Sequence, residues 1–169
     1  MSWQKPLLII LLFYFFALLQ SSFLAHFSLF GTIPNLVFTL FFLLVFFIKK
    51  NENYQAVFFA FIAGIFLDIF SYAYMGPSII FLLIIGFLLK KTQFLLKNRE
   101  DNYPFVYFLP LFLAYFIVYQ VLLMVYLRFF DLSHTLISFD LRFIAGIVYN
   151  LIFASMFYSI YKKWAKSIG

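Results

Sequence analysis

Six apolar runs, broken only by short charged or turn-forming stretches, limit what this chain can become. They cover roughly Pro6 to Ala25, Pro34 to Ile48, Tyr54 to Tyr72, Pro77 to Leu96, Phe105 to Arg128 and Leu141 to Tyr161. A bilayer hydrocarbon core of about 30 Å asks for about 20 helical residues. The second run is short, and the fourth reaches full length only by carrying Lys90 and Lys91 near its end, where lysines can snorkel. With 66% of its 169 residues hydrophobic and 11% charged, the chain reads as an all-α integral membrane protein. The longest stretch that is not strongly apolar is Lys90 to Tyr103, so residues 1–169 are expected to form a single membrane domain.

Charge placement chooses between six full spans and an arrangement in which the second and fourth runs are re-entrant. Six spans put Lys5, Lys49, Lys50, Lys90, Lys91, Lys97, Arg99, Lys162, Lys163 and Lys166 on one side, ten of the 12 basic residues, and leave Arg128 and Arg142 on the other. The re-entrant arrangement reduces that bias to eight against four. The positive-inside rule therefore predicts six spans with both termini cytoplasmic, and Trp3 and Trp164 fit as interfacial anchors on that face. The first run resembles a signal peptide, with Lys5 ahead of an apolar core, but cleavage after Ala25 would place Phe23 where a small residue is needed. A permanent helix is expected instead. The net charge of +6 is then a topology signal and an attraction to anionic membrane lipids, and it does not indicate nucleic acid.

Asp68 is the only carboxylate inside any of these runs. A charge at the centre of a membrane helix costs about 2.5 to 3.5 kcal/mol on insertion scales, so it is normally kept for a partner or a function. Two stripes at intervals of four accompany it: Ala56, Ala60, Gly64 and Asp68 in the third run, and Arg142, Gly146, Asn150 and Ala154 in the sixth. Small residues at this spacing let helices approach closely in lipid. If the two helices run antiparallel in contact, Gly64 faces the region of Gly146 and Asp68 meets Arg142, with Arg128 as the competing ion-pair partner. Asp131 and Asp140 lie between these arginines, and for Asp131 a solvated loop position is at least as good a reading. Gln20, Gln120 and Asn35 read as interhelical hydrogen-bonding groups.

Chemistry has little foothold. No cysteine is present, which excludes disulfides and thiolate reactions. His26 and His134 stand alone in different loops and lack the compact spacing of a zinc site. The chain carries no paired membrane carboxylates, no Gly-x-Gly-Asp, His-Glu-x-x-His or Gly-x-Ser-x-Gly, and no phosphate-binding glycine loop. A lone aspartate with arginines for neighbours makes a poor proton relay, because arginine does not release its proton. No enzyme activity and no cofactor are expected. The 29 phenylalanines read as coding bias before they read as function.

Taken in order, the polar landmarks resemble those of the bacterial rod shape-determining protein MreD family. They are Gln20, then Pro34-Asn35-Leu36, then Gly64-Ile65-Phe66-Leu67-Asp68-Ile69-Phe70-Ser71, then Met75-Gly76, with basic loops after the second and fourth helices and a basic C-terminus. Tyr72 stands where the family often has a second glycine, and Gly76-Pro77 can supply the break. The resemblance implies that Pro34, Asn35, Gly64, Asp68, Ser71 and Gly76 are family-motif positions. It also implies a compact six-helix bundle like the substrate-binding components of energy-coupling-factor vitamin transporters. The implied function is a non-enzymatic scaffold of the elongation machinery in the bacterial inner membrane. Its implied partners are an MreC-like single-span protein, MreB filaments, a SEDS glycosyltransferase and a class B penicillin-binding transpeptidase. A substrate-binding subunit of a small-molecule transporter is the alternative.

Overall fold

The computed structural model describes residues 4–28, 31–48, 53–70, 75–96, 105–130 and 141–168. Among them are six α-helices: α1 Gln4–Leu18, α2 Leu36–Phe47, α3 Asn53–Phe70, α4 Pro77–Leu96, α5 Phe105–Phe129 and α6 Leu141–Ile168. A π-helical turn, Leu19–Phe23, and a 3-10 turn, Leu24–Phe27, prolong α1. The all-helical class is as expected, but the helices are less uniform than the apolar runs suggest. Four apolar helical stretches are long enough to cross a membrane, Pro6–Phe27, Pro77–Leu95, Phe105–Phe129 and Leu141–Lys163, whereas Leu36–Phe47 and Tyr54–Phe70 are shorter. Trp3, Lys49, Lys50, Ser71, Tyr72, Lys97, Arg99, Asp131, His134 and Asp140 lie outside the described residues, as do the side chains of Lys5, Trp164 and Lys166.

The shortest helix occupies the middle. At 12 residues, α2 is about 18 Å long, well under the hydrocarbon thickness, yet it packs against all five other helices. Those five surround it in the order α1, α3, α4, α5, α6, and the ring closes where Phe16 of α1 meets Phe157 of α6 edge-on at 5.2 Å. A helix that is hydrophobic all round must be buried, in lipid or in protein. Here protein supplies the burial, since nearly every α2 side chain is enclosed.

Between α2 and α5 the phenylalanines have a structural use. Phe38, Phe42 and Phe46, four residues apart on α2, interleave with Phe108, Phe112 and Phe116 on α5. Centroid separations are 5.4 Å for Phe38–Phe116, 5.2 Å for Phe42–Phe112 and 5.1 Å for Phe46–Phe108, all edge-on. The pairing runs antiparallel, as an up-and-down connection requires. Transfer from water does not drive such contacts inside a membrane, so shape and ring geometry must hold the helices together. Each edge-on pair contributes about 0.5–1.5 kcal/mol beyond simple area.

Candidate functional site

Several polar groups in the described residues meet the ends of α2 and α4, where helix backbone groups lack internal partners. Asp68, 2% exposed, sits near the C-terminal end of α3, beside the start of α4. Its Oδ2 accepts from the Gly76 N–H at 2.7 Å and its Oδ1 from the Ser78 N–H at 3.1 Å. The first turn of any helix leaves its N–H groups without internal partners. Pro77 removes one of those donors by lacking an N–H, and Gly76 has no side chain with which to cap the others. A carboxylate from the preceding helix therefore serves as the cap, where the positive end of the α4 dipole favours negative charge. Gly76 adopts φ +124°, a left-handed conformation that side chains disfavour, and this sets its N–H toward Asp68. The same site extends to α5, because Ser78 Oγ lies 3.3 Å from the Tyr119 hydroxyl.

The small-residue stripe of α3 also faces α4. A methyl group placed on Gly64 would lie 2.5 Å from the Ile79 Cα, and one placed on Gly86 of α4 would lie 4.0 Å from the Ala56 carbonyl oxygen. Ala56 and Ala60 are buried along this seam. The α6 stripe packs elsewhere. A methyl on Gly146 would meet Thr32 at 4.0 Å, Asn150 reaches Asn35, and Ala154 is fully buried. The expectation that Gly64 faces Gly146 is thus corrected: α3 packs on α4, α2 and α1, while α6 packs on α5 and α2. The expected pairing of Asp68 with Arg142 rested on that contact. Arg142 and Arg128 are exposed, whereas the buried carboxylate has the amides of α4 within hydrogen-bonding distance.

Asn35 and Asn150, noted separately in the sequence, meet at the start of α2. The Asn35 N–H donates to Asn150 Oδ1 at 2.8 Å, while Asn35 Oδ1 accepts from the Phe38 N–H at 2.9 Å. Gln20 Oε1 accepts from the Val37 N–H at 3.4 Å. The π-helical turn that contains Gln20 inserts extra backbone in α1 at this level, a feature often found at functional sites. Pro34 precedes the cap, and its carbonyl accepts from the Leu36 N–H at 3.1 Å. Asn150 is itself held by donation from its Nδ2 to the Gly146 carbonyl at 2.8 Å.

The opposite end of α2 is closed by α4. Lys90 Nζ donates to the Ile48 carbonyl at 2.8 Å and Gln93 Nε2 to the Phe46 carbonyl at 2.7 Å. Lys90, read from sequence as a snorkelling lysine, instead brings its charge to the negative end of the α2 dipole. Gln93, Ser78 and Tyr119 are site residues that run-length and charge reasoning missed. The available signal was their polarity at positions otherwise filled by apolar residues. Within the described residues, every buried side-chain nitrogen and oxygen has a hydrogen-bond partner. Because α2 is too short to place both ends in water, the side-chain bonds to backbone amides at its start and to the Phe46 and Ile48 carbonyls at its end help its backbone to sit at membrane depth.

Replacing Asn150 with alanine is expected to destabilise the purified protein by about 1–2 kcal/mol, the upper range for an interhelical side-chain hydrogen bond in a membrane. Unfolding in detergent measures it. An effect no larger than that of Ser155→Ala, a change at a residue bonded only within its own helix turn, would remove Asn150 from the cap.

Among the described residues, no group of three or more His, Asp or Glu side chains is placed to hold a metal ion. The arrangement can fix helices in register and neutralise their ends. A family model described as rod shape-determining protein MreD matches residues 1–167. No curated protein and no solved structure matches the chain.

Proposed function

The chain belongs to the rod shape-determining protein MreD family, and from that premise we propose that it serves rod-shape determination as a non-enzymatic membrane scaffold. The observation that carries this reading is the central helix. A subunit that captures a vitamin needs an internal space, whereas here α2 and its phenylalanine contacts with α5 fill the middle of the bundle. Both ends of α2 are tied to its neighbours. Such a body suits holding partners in fixed relation. In this role it binds an MreC-like single-span protein on its lipid-facing helices and helps couple MreB filaments to a SEDS glycosyltransferase and a class B penicillin-binding transpeptidase. The positive-inside bias supports a bacterial inner-membrane location with both termini cytoplasmic. The end where α2, α4 and α6 begin then faces outward.

Clean deletion is expected to widen or round rod-shaped cells, with the defect reversed by the intact gene. Affinity purification from native membranes should recover the MreC-like protein and cell-wall synthases. Normal rods after deletion, or recovery of an ATPase module instead, would reverse the assignment. Orientation is checked with single cysteines. Those replacing Glu52, Asn98 or Lys166 should be shielded from an impermeant outside reagent, while those replacing Tyr74 or His134 should react. Outside labelling at position 52 would exclude the six-span topology.

A further inference from the structure

At the end of the bundle where α5 begins and α6 finishes, an open cavity of about 400 Å³ is lined by Phe105, Tyr158, Ser159, Lys162 and Lys163. That volume falls within the ~300–1,000 Å³ of ordinary ligand pockets. Among the described residues two lysines and a serine line it and no carboxylate does, and the Ser159 hydroxyl donates to the Ser155 carbonyl at 2.9 Å. The Tyr158 ring packs against Phe105 at 5.1 Å and Phe108 at 4.7 Å, giving the cavity an aromatic floor. On α6, Lys162 follows Tyr158 by four residues and Lys163 follows Ser159 by four, so the lysines stand one turn, about 6 Å, beyond that floor. The apolar stretch of α6 ends at Lys163, which sets both charges at the edge of the hydrocarbon. The first turn of α5 adds the positive end of a helix dipole beside them.

We infer that this cavity binds the headgroup of an anionic phospholipid. The phosphate lies between Lys162 and Lys163, and the glycerol and upper acyl chain lie against Phe105 and Tyr158. A solvated pair of lysines needs no aromatic floor, and a free phosphate has nothing to place against one. A lipid supplies both halves. The leaflet rests on the proposed orientation, which makes it the cytoplasmic one; the site itself does not depend on a role in cell shape.

The test uses the purified full chain in phosphatidylcholine nanodiscs containing increasing phosphatidylglycerol, with bound lipid counted by native mass spectrometry. Replacing Lys162 and Lys163 together with alanine should weaken phosphatidylglycerol binding about 30-fold, about fivefold for each charge. Ser159→Phe, which keeps both charges and fills the space from an exposed position, should weaken it comparably. Alanine at Lys91 and Lys97 removes the same charge near the end of α4 and should change binding less than twofold. An equal loss in the Lys91 and Lys97 variant, or no loss in Ser159→Phe, overturns the site in favour of diffuse attraction to the membrane surface. Displacement of phosphatidylglycerol by millimolar inorganic phosphate would overturn the lipid in favour of a free anion. Cell shape is not a readout here, so failure of this site and failure of the scaffold reading are told apart.

Discussion

Asp68→Ala should destabilise the purified protein by about 3 kcal/mol, more than any other single loss of a polar group in the bundle. Two N–H groups at the start of α4 lose a charged acceptor, and each buried donor left unmet costs about 1–3 kcal/mol. Ordinary helix-cap removal costs about 1 kcal/mol, but this cap is enclosed, so water replaces it poorly. Asp68→Asn keeps an acceptor oxygen and should recover roughly half of the loss. Thermal unfolding in detergent, followed by circular dichroism, ranks the variants. The charge swap Asp68→Arg with Arg142→Asp separates capping from ion pairing. Arginine cannot accept from the Gly76 and Ser78 amides, so the swap should be no more stable than Asp68→Arg alone. Substantial recovery would restore the arginine pairing.

The second large effect concerns Gly64. A Cβ there would lie 2.5 Å from the Ile79 Cα and 2.7 Å from the Ile79 nitrogen, both backbone atoms that cannot swing aside. Even Gly64→Ala forces α3 and α4 apart, with an expected cost of about 3 kcal/mol, the upper end for overpacking. The displaced helix would also draw the Gly76 and Ser78 amides away from Asp68. Gly86→Ala and Gly146→Ala serve as internal controls, since a Cβ at those positions would meet its nearest neighbours at 3.5 Å and 4.0 Å, ordinary contact distances. Both should accumulate and unfold like the parent chain. Equal tolerance at all three glycines would mean that the seam between α3 and α4 is looser than its geometry.

Helix number and most boundaries were readable because an apolar run stops at proline or charge. The fourth run, Pro77 to Leu96, coincides with α4. The expected end at Tyr161 falls short of α6, which continues to Ile168. Its last turns carry lysines, which end an apolar run without ending a helix. Arrangement was harder to read, for a physical reason. In a soluble bundle the polar face of each helix shows which side turns inward, but these helices lack such a face, so the sequence marks α2 as short and apolar throughout without placing it at the centre. Small-residue stripes identify a face without identifying its partner, which is why the α3 stripe was matched to α6 when it serves α4. The cap was legible only in part. Asp68 stands out in the sequence as a carboxylate that needs a partner, but the arginines drew the assignment, while Gly76-Pro77-Ser78, a helix start without a capping side chain of its own, holds the amides that it meets. Likewise Phe38, Phe42 and Phe46, and Phe108, Phe112 and Phe116, repeat every four residues, a pattern that overall composition conceals.

The central position of α2 has a consequence for biogenesis. Helices leave the ribosome in chain order, so α2 enters the membrane second. Gln20 is then already present, but Lys90 and Gln93 arrive only with α4, and Asn150 only with α6. Until synthesis nears completion, the most enclosed helix of the finished protein is too short for the bilayer and has polar ends that its eventual partners have not yet covered. It must be sheltered by the insertion machinery or by transient contacts with α1 and α3. The last helix therefore completes the first half of the chain as much as its own, and an interrupted chain exposes exposed amides and carbonyls in lipid, the kind of defect by which membrane quality control can recognise an unfinished product.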